Sequence, residues 1–349
     1  MWNSTQEAAE LARKLAAGAH TLAGLTPPET GVTPREAVYR DDKATLYRYT
    51  PRVPRPAAVP VLIVYALVNR PYMMDLQEDR STIRGLLDQG LDVYLIEWGY
   101  PDRADRWLEL DDYINGYIRG CVRHIGEAHG LPRINLLGVC QGGTFATCYT
   151  ALHPGTVANL VTMVTPIDFK TPGNLLSQWA QGLDVDTLVG ALGNVPGELL
   201  NFSFLAMKPL RLTGQKYLDM LDLLDDPKAL KNFLRMEKWI FDSPDQAGEA
   251  YRQFIKWFYQ ENRLVRGDLE IGGRPVRLNA ITQPVFNVYA TEDHLVPPAA
   301  SLALGNHVKS RDYSEYAFKG GHIGIYVSGR AQKEVPAAIA HWLKARMKN

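Results

Sequence analysis

Residues 135–146 read NLLGVCQGGTFA, from Asn135 to Ala146. An apolar run, Ile134–Leu137, meets a glycine-flanked turn, and a helical pattern, Gly142–Leu152, begins at once. Gly138-Val139-Cys140-Gln141-Gly142 has the form of a nucleophile elbow. Such a turn holds its central residue in strained backbone geometry. Small residues two before and two after let strand and helix approach, and the side chain at the tip points outward. The N–H of Gln141 then faces an oxyanion forming at the nucleophile. Most elbows carry serine at the tip; here it is Cys140.

Outward from this turn, continuous apolar runs recur at Val59–Val64, Asp92–Glu97, Leu160–Val164, Val285–Tyr289 and, more weakly, Tyr313–Phe318. Helical patterns at Ser81–Gln89 and Leu110–Ala128 separate the early ones. Apolar strands alternating with helices predict an α/β fold with a mostly parallel sheet and helices on both faces. Glu36–Arg40 and Ala44–Tyr49 predict an edge hairpin, and Thr5–Ala17 an amphipathic helix. From about Lys170 to Arg277 the alternation stops and helical spacing takes over. FLRMEKWIFDSPDQAGEAYRQFIKWFYQENRL reads as two helices broken at Ser243-Pro244. The predicted organisation is a core of residues 1–169 and 278–349. A helical cap, 170–277, is inserted before the strand that carries Asp293.

The chain has 349 residues, enough to bury a sizeable core, with 38 basic and 38 acidic side chains. A neutral balance gives no basic footprint for nucleic acid. The longest apolar run, Val61–Val68, is far short of the roughly 20 residues of a membrane span. The start, MWNSTQEAAELARK, lacks the basic and apolar regions of a secretory signal. Cys121, Cys140 and Cys148 make no disulfide framework, so reduced thiols and a cytoplasmic location are expected. Neither a phosphate-binding loop nor a dinucleotide fingerprint nor a metal-type cluster of His and Cys occurs, and no cofactor or metal is expected.

An elbow needs an acid and then a histidine later in the chain. Asp293 lies just beyond PVFNVYA, in ATEDHLVPP, and His322 lies in FKGGHIGIYVSG, where Gly320-Gly321 permits an irregular loop. Cys140, Asp293 and His322 are therefore the candidate triad, and His294 a candidate substrate contact. The second oxyanion donor is expected from the loop after the third strand, at the N–H of Val68 or Asn69, alongside Gln141. A thiol needs less help than an alcohol to ionise. It also exchanges a thioester for a thioester, which keeps an acyl group activated for transfer to an alcohol. The residues thus favour acyl transfer from a thioester over hydrolysis.

The chain resembles the polyhydroxyalkanoate synthases, specifically the catalytic subunit of the two-subunit, class III type. The likeness runs through VYALVNRPYMMDLQEDRST, VYLIEWGYPDRADR, LLGVCQGGTF, ALHPGTVANLVTMVTPIDFKTPGNLLSQW, LTGQKYLDMLDLLDDPK, NFLRMEKWIFDSPDQAGE, DHLVPP and GGHIGIYVSGRAQKEV. It implies an α/β-hydrolase fold with a cap. It also implies polymerisation of (R)-3-hydroxyacyl-CoA, chiefly 3-hydroxybutyryl-CoA, with CoA as part of the substrate and a product. By position, Cys140 is the nucleophile, His322 the base and Asp293 the third member. The resemblance further implies an accessory subunit, a homodimer within a hetero-oligomer, and residence at the surface of polymer granules. The rival readings are a cysteine thioesterase or esterase on the same scaffold and a non-catalytic granule-associated protein.

Overall fold

The apolar runs are buried on both faces, and they join into one sheet. In the computed structural model, which describes residues 29–206, 220, 223–224 and 226–347, its strands are β1 (Arg35–Asp41), β2 (Ala44–Tyr49), β3 (Val61–Val64), β4 (Val93–Glu97), β5 (Ile134–Val139), β6 (Val157–Met163), β7 (Val285–Ala290) and β8 (Tyr313–Phe318). Their order across the sheet is β1-β2-β4-β3-β5-β6-β7-β8. The predicted hairpin forms β1 and β2, which join antiparallel at one edge. From β4 to β8 every pair is parallel. The helix expected at Thr5–Ala17 lies outside the described residues.

Every side chain of β3 and β5 is buried, because helices cover both faces. Strand periodicity divides them between two cores. Leu62, Val64 and Leu136 face one, with Phe145 and Ile118; Ile63 and Leu137 face the other, with Leu86, Ile339 and Leu343. Each such aliphatic side chain contributes about 1.5–3 kcal/mol on full burial. The helices next to the sheet are α1 (Thr82–Asp88), α2 (Arg119–His129) and α3 (Gln141–Leu152). A wider π-type turn, Asp112–Ile118, leads into α2.

Between β6 and β7 the chain is largely helical. The longer described helices are α4 (Leu175–Gln181), α5 (Val185–Leu192), α6 (Gly197–Ala206), α7 (Pro227–Ile240) and α8 (Gly248–Gln253), which continues as a π-type stretch, Phe254–Gln260. Their starts are written locally. Asn174, Asp184 and Asp226 each accept first-turn N–H groups, and Pro227 occupies the first turn of α7. This region stands on the core through aromatic rings. Phe254 meets Phe145 of α3 edge-on at 5.8 Å, and Phe258 meets Phe169 at 5.4 Å. A long closing helix, α9 (Gly329–Arg346), has no counterpart in the sequence reading. Pro336 sits inside it and interrupts the helical pattern.

Candidate active site

Cys140 stands between β5 and α3 at φ 53°, ψ −126°. A non-glycine residue with positive φ costs about 1–3 kcal/mol and persists only where its surroundings fix it. Here they do. The Cys140 N–H donates to the Met163 carbonyl at 2.9 Å, and the Cys140 carbonyl accepts from Gly143. A Cβ on Gly142 would lie 2.2 Å from the Val64 carbonyl oxygen, and one on Gly143 1.8 Å from Thr165 Oγ1. The two glycines are therefore required by contact: α3 starts directly against the ends of β3 and β6. The thiol is part-exposed. At the first turn of α3, the Gln141 N–H has no intrahelical acceptor.

Asp293 and His322 are brought together by register. β7 and β8 are parallel neighbours with Ala290 opposite Phe318. The loops beyond them are bonded to each other through Thr291 N–H to Phe318 O and Glu292 N–H to Gly320 O. His322 Nδ1 and Asp293 Oδ2 are 2.6 Å apart, with both side chains buried. Asp293 Oδ1 accepts the N–H groups of Leu295 and Val296 at 2.8 and 2.9 Å. Both carboxylate oxygens are thus committed. Burial alone lowers the pKa of His322. The negative charges of Asp293 and Cys140, and side-chain hydrogen bonds to both, outweigh it and raise the imidazole to about 10. Nδ1 is bound to Asp293, so Nε2 is the ring nitrogen available to the thiol. His294 lies next in the chain, exposed on the same turn.

The loop after β3 is hydrogen-bonded to the elbow on one side and to residues 239–246 on the other. Gln141 Oε1 accepts the Leu67 N–H at 3.0 Å, which commits that donor and leaves Val68 and Asn69 as the next along the loop. Asn69 is itself at φ 59°. Its Nδ2 donates to the Trp239 carbonyl and Ser243 Oγ, and Trp239 Nε1 donates to the Arg70 carbonyl. Asp242 accepts from Arg70 Nε at 2.9 Å and from the Tyr72 hydroxyl at 3.0 Å. Gln246 Nε2 donates to the Leu67 carbonyl. Residues 239–246, from the end of α7 toward α8, thus grip the loop that carries the predicted oxyanion donors.

Three tyrosines, none of them expected near the thiol, feel the charge of Cys140. Tyr65 and Tyr326 are buried and Tyr259 partly so, and burial is the main cause that raises each hydroxyl pKa, with the charge of Cys140 adding to it. Tyr326 also meets the His322 ring edge-on at 6.0 Å. They come from the β3 loop, the helical region between β6 and β7, and the segment after β8. Only the fold brings such distant positions together, and no local motif marks them. Val164, at φ 44° just beyond β6, is a β-branched residue in the left-handed region, a genuine outlier. It adjoins Thr165, the residue against which Gly143 packs.

Comparison with known proteins adds family relations to this geometry. The model of the alpha/beta hydrolase fold matches residues 59–328. A second, described as the N-terminus of poly-beta-hydroxybutyrate polymerase (PhaC), matches residues 28–86. The chain is 62% identical over 344 residues to the poly(3-hydroxyalkanoate) polymerase subunit PhaC of Allochromatium vinosum, covering 98% of this chain and 97% of that one. It is 60% identical over 342 residues to the protein of the same name from Thiocystis violacea, covering 98% and 96%. Among solved structures, a monoacylglycerol lipase from Paleococcus ferrophilus superposes with a TM-score of 0.54 at 17% identity, covering 84% of this chain and 96% of the lipase. That last likeness is one of fold.

Proposed function

The chain belongs to the poly(3-hydroxyalkanoate) polymerases, acyltransferases that build hydroxyalkanoate polymer, and from that premise we propose that it polymerises (R)-3-hydroxyacyl-CoA through an acyl-Cys140 intermediate. The short-chain 3-hydroxybutyryl thioester is the main substrate. The observation that carries this reading is the buried His322–Asp293 pair at 2.6 Å, turned toward a strained, part-exposed thiol.

His322 already carries its proton at neutral pH, so Cys140 reacts as the thiolate of an ion pair with the imidazolium, the state that Asp293 favours. Sγ attacks the thioester carbonyl. The tetrahedral oxyanion is held by the N–H of Gln141 and one from Val68 or Asn69; such a donor is typically worth about 100- to 1,000-fold in rate. The carbon–sulfur bond to CoA breaks, and the leaving thiolate regains the proton from His322. The hydroxyl of a hydroxyacyl unit then gives its proton to His322 as its oxygen attacks the acyl-cysteine. An ester forms and the thiol is restored. Asp293 orients His322 throughout. Both its oxygens already accept hydrogen bonds, and an ionised carboxylate is a weak base for an alcohol. His294 contributes a substrate contact from the rim. No cofactor takes part, since CoA enters as substrate and leaves as product.

Around this chemistry the reading places a homodimer, a separate accessory subunit and a cytoplasmic granule surface. Among the described residues no helix is long and apolar enough to cross a membrane. The test is Cys140→Ala. CoA release from 3-hydroxybutyryl-CoA should fall below detection while the thermal midpoint stays within a degree or two. Chromatography of the parent's product should show polymeric ester. Release of free hydroxy acid alone would make the chain a hydrolase, and full activity of Cys140→Ala would end the reading.

A further inference from the structure

The thioester end of the substrate belongs at Cys140; the nucleotide end needs a place of its own. The polar face of α7 offers one. A cleft of about 420 Å³ opens between this helix and the short ribbon after the β3 loop, lined by Gln77, Glu78, Asp79, Lys228, Lys231 and Arg235, with Asn232 between the cations. Its charges are unevenly matched. Glu78 is paired with Arg84 at 2.9 Å, and Asp79 with Lys228 at 3.7 Å. Arg235 donates only to neutral oxygens in the described contacts: Gln77 Oε1 at 2.8 Å, Asn232 Oδ1 at 3.4 Å and the Glu29 carbonyl at 3.2 Å. Lys231 has no carboxylate partner among the described residues. Two half-buried cations one turn apart, at i and i+4, therefore face the cleft without neutralisation.

The cleft is tied to the elbow through hydrogen-bonded segments. Both of its walls lead back to the elbow. One wall is the chain from Leu67, bonded to Gln141, through Asn69 and Arg70 to Gln77. The other is α7, whose C-terminal residues Trp239 and Ile240 accept from Asn69. From Ile240 back to Arg235 and Lys231 is about 8 and 14 Å along a helix that rises 1.5 Å per residue. Anionic phosphates at the far end would meet the unpaired cations. Arginine suits them through its planar fork and lysine as a compact point charge.

We propose that Lys231 and Arg235 bind the phosphates of the CoA moiety, with α7 and the Leu67–Gln77 segment guiding the pantetheine arm between this cleft and Cys140. This rests on the polymerase reading with a CoA thioester as donor. The test uses the full chain and two donors, 3-hydroxybutyryl-CoA and the 3-hydroxybutyryl thioester of pantetheine, which has no phosphates. In Lys231→Gln, KM for the CoA donor should rise about tenfold, the size of one lost charged contact. It should rise further in Lys231→Glu and Arg235→Gln. KM for the pantetheine thioester should stay within twofold of the parent in both lysine variants. Unchanged KM for the CoA donor, or equal rises for both donors, overturns the site. Calorimetric titration with free CoA separates this from the polymerase reading. If the parent turns over neither donor, that reading falls. A tenfold weaker CoA affinity in Lys231→Gln still supports the site, and an unchanged affinity overturns it.

Discussion

The floor of the site and its roof are built by different means. Under the thiol, position is fixed by backbone. The elbow's carbonyl and N–H are both bonded, two glycines touch neighbouring strands, and Asp293 meets His322 because two parallel strands are in register. Beyond it, residues 239–246 hold the loop after β3 through side chains, some of them half-exposed, such as Arg70 and Asp242 at 29% each. Ion pairs of that kind contribute about 0–1 kcal/mol and weaken with salt. The floor has no low-cost alternative arrangement, whereas the roof is held by contacts that can be traded for water. Any opening of the site should therefore start at the half-exposed contacts of the roof.

Removing chemistry from the floor while leaving its shape gives the largest expected effect. Asp293→Asn should lower CoA release by about 10⁴-fold, the size of effect seen when an orienting carboxylate is lost from such a triad. First acylation and elongation should fall together. A loss confined to elongation would instead give Asp293 the hydroxyl proton. The same variant tests the electrostatics. In the fold His322 holds its proton up to about pH 10, against 6.5 for the ordinary side chain. Its raised pKa thus adds stability that is whole below about pH 6.5 and is lost as pH climbs through 10. The urea midpoint of the parent should decline across that window, and the decline should be shallower in Asp293→Asn. Parallel declines would break the link between Asp293 and the imidazolium.

Next comes the floor's geometry. Gly142→Ala sets a methyl group 2.2 Å from a backbone carbonyl of β3, which cannot turn aside as a side chain could. Overpacking of this kind costs about 3 kcal/mol. Denaturant titration should show that loss, and activity should fall with it because α3 must move away from β3. A fully active, fully stable Gly142→Ala would show that the elbow tolerates slack, and the contrast with the roof would lose its basis.

The two regions also differed in how far they could be read from sequence. Strands buried on both faces announce themselves as unbroken apolar runs, so β3, β4, β5 and β7 lie within a residue or two of their expected places. The order of Cys140, Asp293 and His322, each just past a run, was legible for the same reason. Where glycine interrupts a run the reading fell short: β5 continues through Gly138 to Val139. Pro336 hid α9. The roof was legible only as helices. Its grip joins Asn69 to Ser243 and Arg70 to Asp242, polar pairs more than 170 residues apart, and such pairs leave no periodic mark in the sequence. The tyrosines around the thiol were hidden in the same way.

The smallest expected effect lies in that grip. Asp242→Asn keeps the shape and an acceptor for Tyr72 while removing the charge opposite Arg70. Because both partners are partly hydrated, the change in global stability should stay below about 1 kcal/mol. The difference should appear locally instead, since openings that involve few buried contacts have their own low free energy. Hydrogen exchange of the amides at 241–246 should quicken a few-fold, and the gap between variant and parent should close at high salt. Amides at the start of α3 should exchange as before. Faster exchange in α3 as well would mean that roof and floor open as one unit, and the contrast between them would fall.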